Sequence, residues 1–255
     1  MTYEMIRFHP GPRVTTIVLN RAPLNIINLE MLDELNAAWD EVEAMESQVI
    51  VVSGAGDRAF SAGVDIADHL PDKVGSMLSK FHHLIRRIFE SDRITLAAIH
   101  GHTLGGGAEL AMMCDFVIAA DNVSIGLPEI SLACYPPIAA AYLPRAIGFH
   151  RASQLVLLGE SISAEEAERM GLITEVVPKD ELNKCVDDYV DRLLTKSTAA
   201  VAIAKKALRE GLEHQFESAL GRTEKLYLHE LVRTEDMREG LDAFLEKRPP
   251  NWRNR

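Results

Sequence analysis

A glycine-rich turn followed by a glutamate has the clearest chemical potential in this sequence. Residues 99–109 read IHGHTLGGGAE. The unpaired N–H groups at a helix start carry about half a unit of positive charge, so a helix opening at Gly105, Gly106 and Gly107 can hold a small developing anion such as an enolate. The turn does not match a dinucleotide-binding fingerprint, which requires a further glycine where Leu110 stands and a position near the amino terminus. It does not match a phosphate loop either, because the sequence contains no Gly-Lys-Ser or Gly-Lys-Thr.

Two glutamates could do proton chemistry beside this turn. Glu109 lies in the helix that the glycines open, and Glu129 follows Pro128. One carboxylate can take a proton from water while a second carboxyl gives a proton to carbon, and two carboxyls at one water push their pKa values apart. A single glutamate at a helix start more commonly serves only the helix dipole, and the sequence does not tell which glutamate would be the acid.

Alternating strands and helices are predicted to position these residues. The strands are predicted at 14–19, 49–53, 59–63, 96–99, 116–120 and 174–177, and the helices include 29–42 and 73–90. This alternation predicts an α/β fold with parallel strand pairing. We expect a core domain at 1–195 and a helical carboxyl-terminal region at 196–255, which packs either on its own domain or on a neighbouring subunit.

Two segments together resemble the enoyl-CoA hydratase/isomerase (crotonase) superfamily. They are 58–66, RAFSAGVDI, and 101–115, GHTLGGGAELAMMCD, and the similarity continues over nearly the whole chain. The resemblance implies a spiral of repeated ββα units with a helical carboxyl-terminal trimerisation region. It also implies a homotrimer or homohexamer.

The resemblance further implies an active site for acyl-CoA thioesters. The peptide N–H groups of Ala62 and Gly106 would form the oxyanion hole, and Glu109 and Glu129 would be the catalytic pair. Retention of both glutamates favours addition or removal of water. No cofactor and no metal are implied, because coenzyme A is part of the substrate.

The acyl group is predicted from residues that differ from typical straight-chain hydratases. Tyr135 and Pro136 stand in a stretch where those enzymes have glycines, and they are predicted to contact substrate together with Gly63, Val64 and Asp65, although helix capping is the preferred role of Asp65. These segments resemble the hydratases that act on cyclic dienoyl-CoA in anaerobic benzoyl-CoA degradation. The alternatives are a straight-chain enoyl-CoA hydratase or isomerase, and a non-enzymatic superfamily member that binds RNA or a protein partner.

Composition excludes several other classes of protein. The net charge of -11 opposes nucleic-acid binding, which requires clustered Lys and Arg. No secretory signal or membrane-spanning stretch is evident, so we expect a cytoplasmic protein with no membrane partner. The three cysteines predict reduced thiols, and His82 is predicted to lie on the surface. Lys73 and the pair Lys205-Lys206 are predicted to be surface residues, with contact to coenzyme A phosphates as the alternative.

Overall fold

The polypeptide forms two β-sheets covered by helices. The computed structural model describes residues 3–210 and 212–253. Its strands are β1 (Ile6–His9), β2 (Val14–Leu19), β3 (Val49–Gly54), β4 (Ala59–Ser61), β5 (Ile94–Ile99), β6 (His102–Leu104), β7 (Phe116–Ala120), β8 (Ser124–Gly126), β9 (Ser161–Ser163) and β10 (Glu175–Val177). Its α-helices are α1 (Leu29–Glu43), α2 (Val74–Glu90), α3 (Gly106–Met112), α4 (Pro137–Ala146), α5 (Phe149–Leu158), α6 (Ala164–Met170), α7 (Leu182–Leu194), α8 (Thr198–Glu210), α9 (Glu213–His229) and α10 (Glu235–Leu245). No helix within the described ranges is long and apolar enough to cross a membrane.

Successive strands are divided between the two sheets. The larger sheet has the order β1-β2-β3-β5-β7-β10, and the smaller has the order β4-β6-β8-β9. In three consecutive pairs of strands, the first strand lies in the larger sheet and the second in the smaller sheet. These pairs are β3–β4, β5–β6 and β7–β8, and they are followed by α2, α3 and α4 respectively. This recurring ββα unit confirms the predicted spiral. Pairing is parallel except at β1–β2 and β8–β9.

The predicted apolar stripes of the first two long helices form much of the core. α1 begins after Asn28, whose side-chain oxygen accepts the N–H of Met31 at 3.0 Å and caps the helix. α1 and α2 contact each other and bury one side each, since apolar residues recur every three or four positions. The buried side chains of these two stripes include Leu32, Leu35, Trp39, Met77, Phe81, Leu84 and Ile88.

Most of the short strands in the smaller sheet could not be predicted from sequence patterns. β6, β8 and β9 contain three residues each, and they were not predicted; nor was β1. Three residues are too few to display an alternating pattern, so such strands form because neighbouring strands pair with them. Pairing with β6, which in turn pairs with β8, is therefore what places β4 beside the strand that leads into the glycine turn.

The carboxyl-terminal region folds back on its own chain, which was one of the two predicted arrangements. α9 packs against α4. Phe216, Leu220 and Tyr227 are buried in the same apolar cluster as the side chains of α1 and α2. The division at residue 196 stays a prediction, but the two parts share one core.

Lys205 was predicted at the surface, and that prediction is wrong. Its side chain is 5% exposed, and its Nζ lies 2.5 Å from Oδ2 of Asp115 and 2.6 Å from the carbonyl oxygen of Arg93. α8 is amphipathic, and this position lies against Arg93 and Asp115, the residues directly before β5 and β7, where the ammonium group finds an anionic partner. Lys206, the next residue, is exposed.

Replacement of Lys205 should therefore destabilise the fold far more than replacement of its neighbour. Lys205→Met leaves Asp115 without its cation, so we expect the free energy of unfolding to fall by about 3 kcal/mol. Lys206→Met should change it by less than about 0.5 kcal/mol. Urea unfolding followed by circular dichroism measures both, and equal effects of the two substitutions would contradict the docking of α8.

Candidate active site

The candidate site lies where three parallel strands of the smaller sheet end. β4, β6 and β8 are neighbours, and the chain leaves them toward Val64, Gly106 and Glu129 respectively. Because the carboxyl ends of parallel strands meet at one sheet edge, these distant segments line a single cavity. Of the nine predicted site residues, the ones that line this cavity are Ala62, Gly63, Val64, Gly106, Glu109, Glu129, Tyr135 and Pro136.

Glu109 is buried against the start of a helix. Its side chain is 3% exposed, and its Oε1 accepts the N–H of Ala139 at 2.9 Å. α4 starts at Pro137, which has no N–H, so the first N–H groups that this helix offers come from Ile138 and Ala139. Burial raises the pKa of Glu109 above its ordinary range, whereas these two backbone hydrogen bonds favour the carboxylate and limit the rise.

Glu129 lies beside the glycine turn and accepts fewer hydrogen bonds from the protein than Glu109 does. No group in the described part of the chain hydrogen-bonds to its buried Oε2. A Cβ at Gly105 would lie 2.7 Å from its Oε1, and Gly105 has a φ of 51°, so only glycine suits this position. Burial, followed by the negative charge of Glu109, raises the pKa of Glu129. The two carboxyls therefore favour a state with one proton between them.

The structure corrects one of the two predicted oxyanion donors. The N–H of Ala62 donates to the carbonyl oxygen of Leu24 at 2.9 Å, so it is not free to bind a ligand. Val64, two residues further on, lies opposite Ile27 in an isolated parallel bridge, but its own N–H takes no part in the hydrogen bonds of that bridge. The N–H of Ile27 donates to the carbonyl oxygen of Gly63, and the N–H of Asp65 donates to the carbonyl oxygen of Ile27. No acceptor within residues 3–210 and 212–253 takes the N–H of Val64 or that of Gly106, the first residue of α3.

Val64 and Gly106 lie close together at the cavity wall. A Cβ at Gly106 would approach Cγ2 of Val64 to 2.6 Å and the ring of Phe81 to 3.3 Å. Glycine at this position therefore lets the two backbone segments come near each other. Two unpaired N–H groups in neighbouring segments can hold negative charge on one oxygen atom when both point at it.

Asp65 was predicted to contact substrate, and the structure places it outside the cavity. Its Oδ1 accepts the N–H of Ala67 at 3.1 Å and caps the short 3₁₀ helix Ile66–His69. Its Oδ2 lies 3.5 Å from the guanidinium of Arg21. The capping role, preferred from the sequence, is confirmed, because both oxygens face partners away from the cavity.

His82 and Tyr227 also line the cavity, and neither was predicted to do so. His82 was expected at the surface but is fully buried. Its place on α2 was a usable signal, because it lies four residues after Leu78 and three before Ile85, on the apolar stripe. Tyr227 comes from α9, and nothing in the sequence indicated that this helix reaches the site.

Comparisons with known proteins agree on one family. A family model described as enoyl-CoA hydratase/isomerase matches residues 11–255. The chain is 36% identical to a probable enoyl-CoA hydratase of Mycobacterium bovis over 100% of both chains. It is 34% identical to a crotonyl-CoA hydratase of Syntrophomonas wolfei over 99% of each. A crystal structure of an enoyl-CoA hydratase from Mycobacterium avium subsp. paratuberculosis superposes with a TM-score of 0.89 at 28% identity, covering 99% of this chain and 100% of that one.

The coupling of the two carboxyls can be tested without any ligand. Glu109→Gln removes the negative charge that opposes ionisation of Glu129, so the pKa of Glu129 should fall, while burial keeps it above that of an exposed glutamate. Titration of the carboxyl ¹³C chemical shifts measures this pKa. The control Glu46→Gln changes an exposed residue outside this cavity and should leave it unchanged. An unchanged or higher pKa of Glu129 in Glu109→Gln would contradict the coupling.

Proposed function

The chain belongs to the enoyl-CoA hydratase/isomerase family, and from that premise we propose that it is a hydro-lyase acting on α,β-unsaturated acyl-CoA thioesters. It adds water across the double bond next to the thioester, or removes water from the hydroxylated product. The observation that carries this proposal is the pair of buried carboxyls, Glu109 and Glu129, in one cavity with two free backbone N–H groups.

The backbone donors determine how the thioester is bound. Its carbonyl oxygen accepts hydrogen bonds from the N–H groups of Val64 and Gly106. These bonds strengthen when the oxygen becomes an enolate, and one donor of this kind typically contributes about 3–4 kcal/mol to lowering a barrier. Val64 therefore replaces Ala62 in the oxyanion hole.

The unequal surroundings of the two glutamates support a division of roles. Glu109, held as a carboxylate by the start of α4, takes a proton from water, and the water oxygen attacks the β-carbon. The electron pair of the double bond moves onto the thioester oxygen. Glu129, whose carboxyl keeps its proton more tightly, gives that proton to the α-carbon. Transfer of the proton from Glu109 back to Glu129 completes the cycle.

For the acyl group we propose a cyclic dienoyl thioester. Tyr135 and Pro136 line the cavity where typical straight-chain hydratases have glycines, and Ala133 holds a left-handed backbone with φ of 54° that favours glycine. The added side-chain volume changes the shape of the acyl pocket. A straight-chain enoyl-CoA is the second candidate, favoured by the similarity to a crotonyl-CoA hydratase.

Several properties expected from the sequence belong to this proposal as well. The protein works without a cofactor, because coenzyme A is part of the substrate, and without a metal. It forms a homotrimer or homohexamer in the cytoplasm. The carboxyl-terminal helices contribute to subunit contacts in addition to packing on their own chain.

Loss of either carboxyl should abolish most hydration activity. Glu109→Gln and Glu129→Gln should each lower kcat/KM by about 10²–10⁴-fold, because each removes one proton-transfer group. The measurement follows the ultraviolet absorbance of the enoyl thioester as the double bond is hydrated. Glu46→Gln should retain wild-type activity. Turnover within about threefold of wild type in both cavity variants would overturn the mechanism. Absence of turnover in the wild-type protein would instead favour a non-enzymatic, RNA-binding or partner-binding role.

The acyl group is tested by direct competition between two substrates. With cyclohexa-1,5-diene-1-carbonyl-CoA and crotonyl-CoA supplied to the same enzyme preparation, we expect a higher kcat/KM for the cyclic thioester. The reason is that we expect the space beside Tyr135 and Pro136 to fit a cyclic acyl group better than a straight chain. A preference for crotonyl-CoA would reject the cyclic substrate and leave the hydratase assignment standing.

A further inference from the structure

His82 carries a cavity-lining polar group that the proposed reaction does not use. It projects from α2, it is fully buried, and it lines the cavity that contains Glu109 and Glu129. Its Nδ1 lies 2.6 Å from Oε1 of Glu224 on α9. Its Nε2 is buried and has no hydrogen-bond partner among the described residues.

The partners of Glu224 determine which ring nitrogen carries the proton. Arg86 donates to the same Oε1 of Glu224 at 3.0 Å and also contacts Glu217. The hydrogen bond from His82, helped by Arg86, lowers the pKa of Glu224, so this group is a carboxylate and can only accept. The proton of His82 therefore resides on Nδ1.

The second ring nitrogen is consequently an acceptor. Burial lowers the pKa of His82, which keeps the ring neutral and leaves a lone pair on Nε2. A buried acceptor without a donor is unfavourable, so its presence beside a ligand cavity suggests that a ligand supplies the donor. Tyr227, which also lines the cavity, lies three residues after Glu224 on the same helix.

Within the acyl group of the ligand, only a hydroxyl can be this donor. An unsaturated hydrocarbon acyl group has no O–H or N–H, whereas an acyl group that carries a hydroxyl does. We propose that His82, oriented by Glu224, is a specificity-determining residue whose Nε2 accepts a hydrogen bond from a hydroxyl group on the acyl moiety. The site thus distinguishes hydroxylated acyl-CoA thioesters from their unsubstituted counterparts. This inference rests on the proposed function.

Equilibrium binding separates this role from a structural one. Isothermal titration calorimetry compares 3-hydroxybutyryl-CoA with butyryl-CoA, and 2-hydroxycyclohexane-1-carbonyl-CoA with cyclohexane-1-carbonyl-CoA, so that both a chain and a ring are covered. The Glu129→Gln background slows conversion of the ligands by about 10²–10⁴-fold. His82→Phe should weaken the hydroxylated member of at least one pair by about tenfold, with the unsubstituted member changed by less than twofold. The control His83→Phe, at the exposed neighbouring position, should change neither.

Uniform weakening of both members in His82→Phe, or no weakening of either, would overturn the inference and leave the hydratase proposal intact. Absence of binding by every acyl-CoA in the starting protein would overturn both.

A second measurement needs no substitution at His82 and remains informative if His82→Phe does not fold. In ¹⁵N NMR spectra, His82 should show the Nδ1–H tautomer, and its Nε2 resonance should move with a hydroxylated ligand and remain in place with the unsubstituted one. A protonated Nε2, or equal movement with both ligands, would contradict the inference.

Discussion

Two buried carboxyl groups that resist being charged together are the constraint on which the rest of this site depends. Glu109 and Glu129 are both buried, and each negative charge makes the other more costly. The fold stabilises the two charges unequally. Backbone N–H groups at the start of α4 donate hydrogen bonds to Glu109, whereas none of the described groups donates to Oε2 of Glu129. This inequality favours one carboxylate and one carboxylic acid, the combination that suits proton transfer from water and to carbon.

The repeated ββα unit explains how residues so far apart in sequence reach one cavity. Each repeat places a short strand in the smaller sheet, and the residue that follows each strand reaches the same edge. Val64 follows β4, Gly106 and Glu109 follow β6, and Glu129 follows β8. The glycines of the turn then permit the close approaches, with Gly106 beside Val64 and Gly105 beside Glu129. α9 closes the cavity with Tyr227 and holds His82 through Glu224.

Local patterns predicted the features that local interactions determine. The stripes of α1 and α2, the helix that opens at the glycine turn, and the cap at Asp65 depend on residues within a few positions of each other. The errors arose where a distant partner decides the outcome. Ala62 differs from Val64 as a donor only because Leu24 accepts its N–H.

The misplaced surface residues have the same explanation. Lys205 is buried because Asp115 lies beneath it, and His82 is buried because α9 returns with Glu224. The three-residue strands β6, β8 and β9 likewise exist through pairing alone.

The most direct test of the shared proton is a double-mutant cycle on hydration. The rates of Glu109→Gln, Glu129→Gln and the double variant are compared with wild type. Because the two groups act on one water as a unit, the double variant should be about as slow as the slower single variant. Losses that multiply would show that the two carboxyls act independently and would contradict the account.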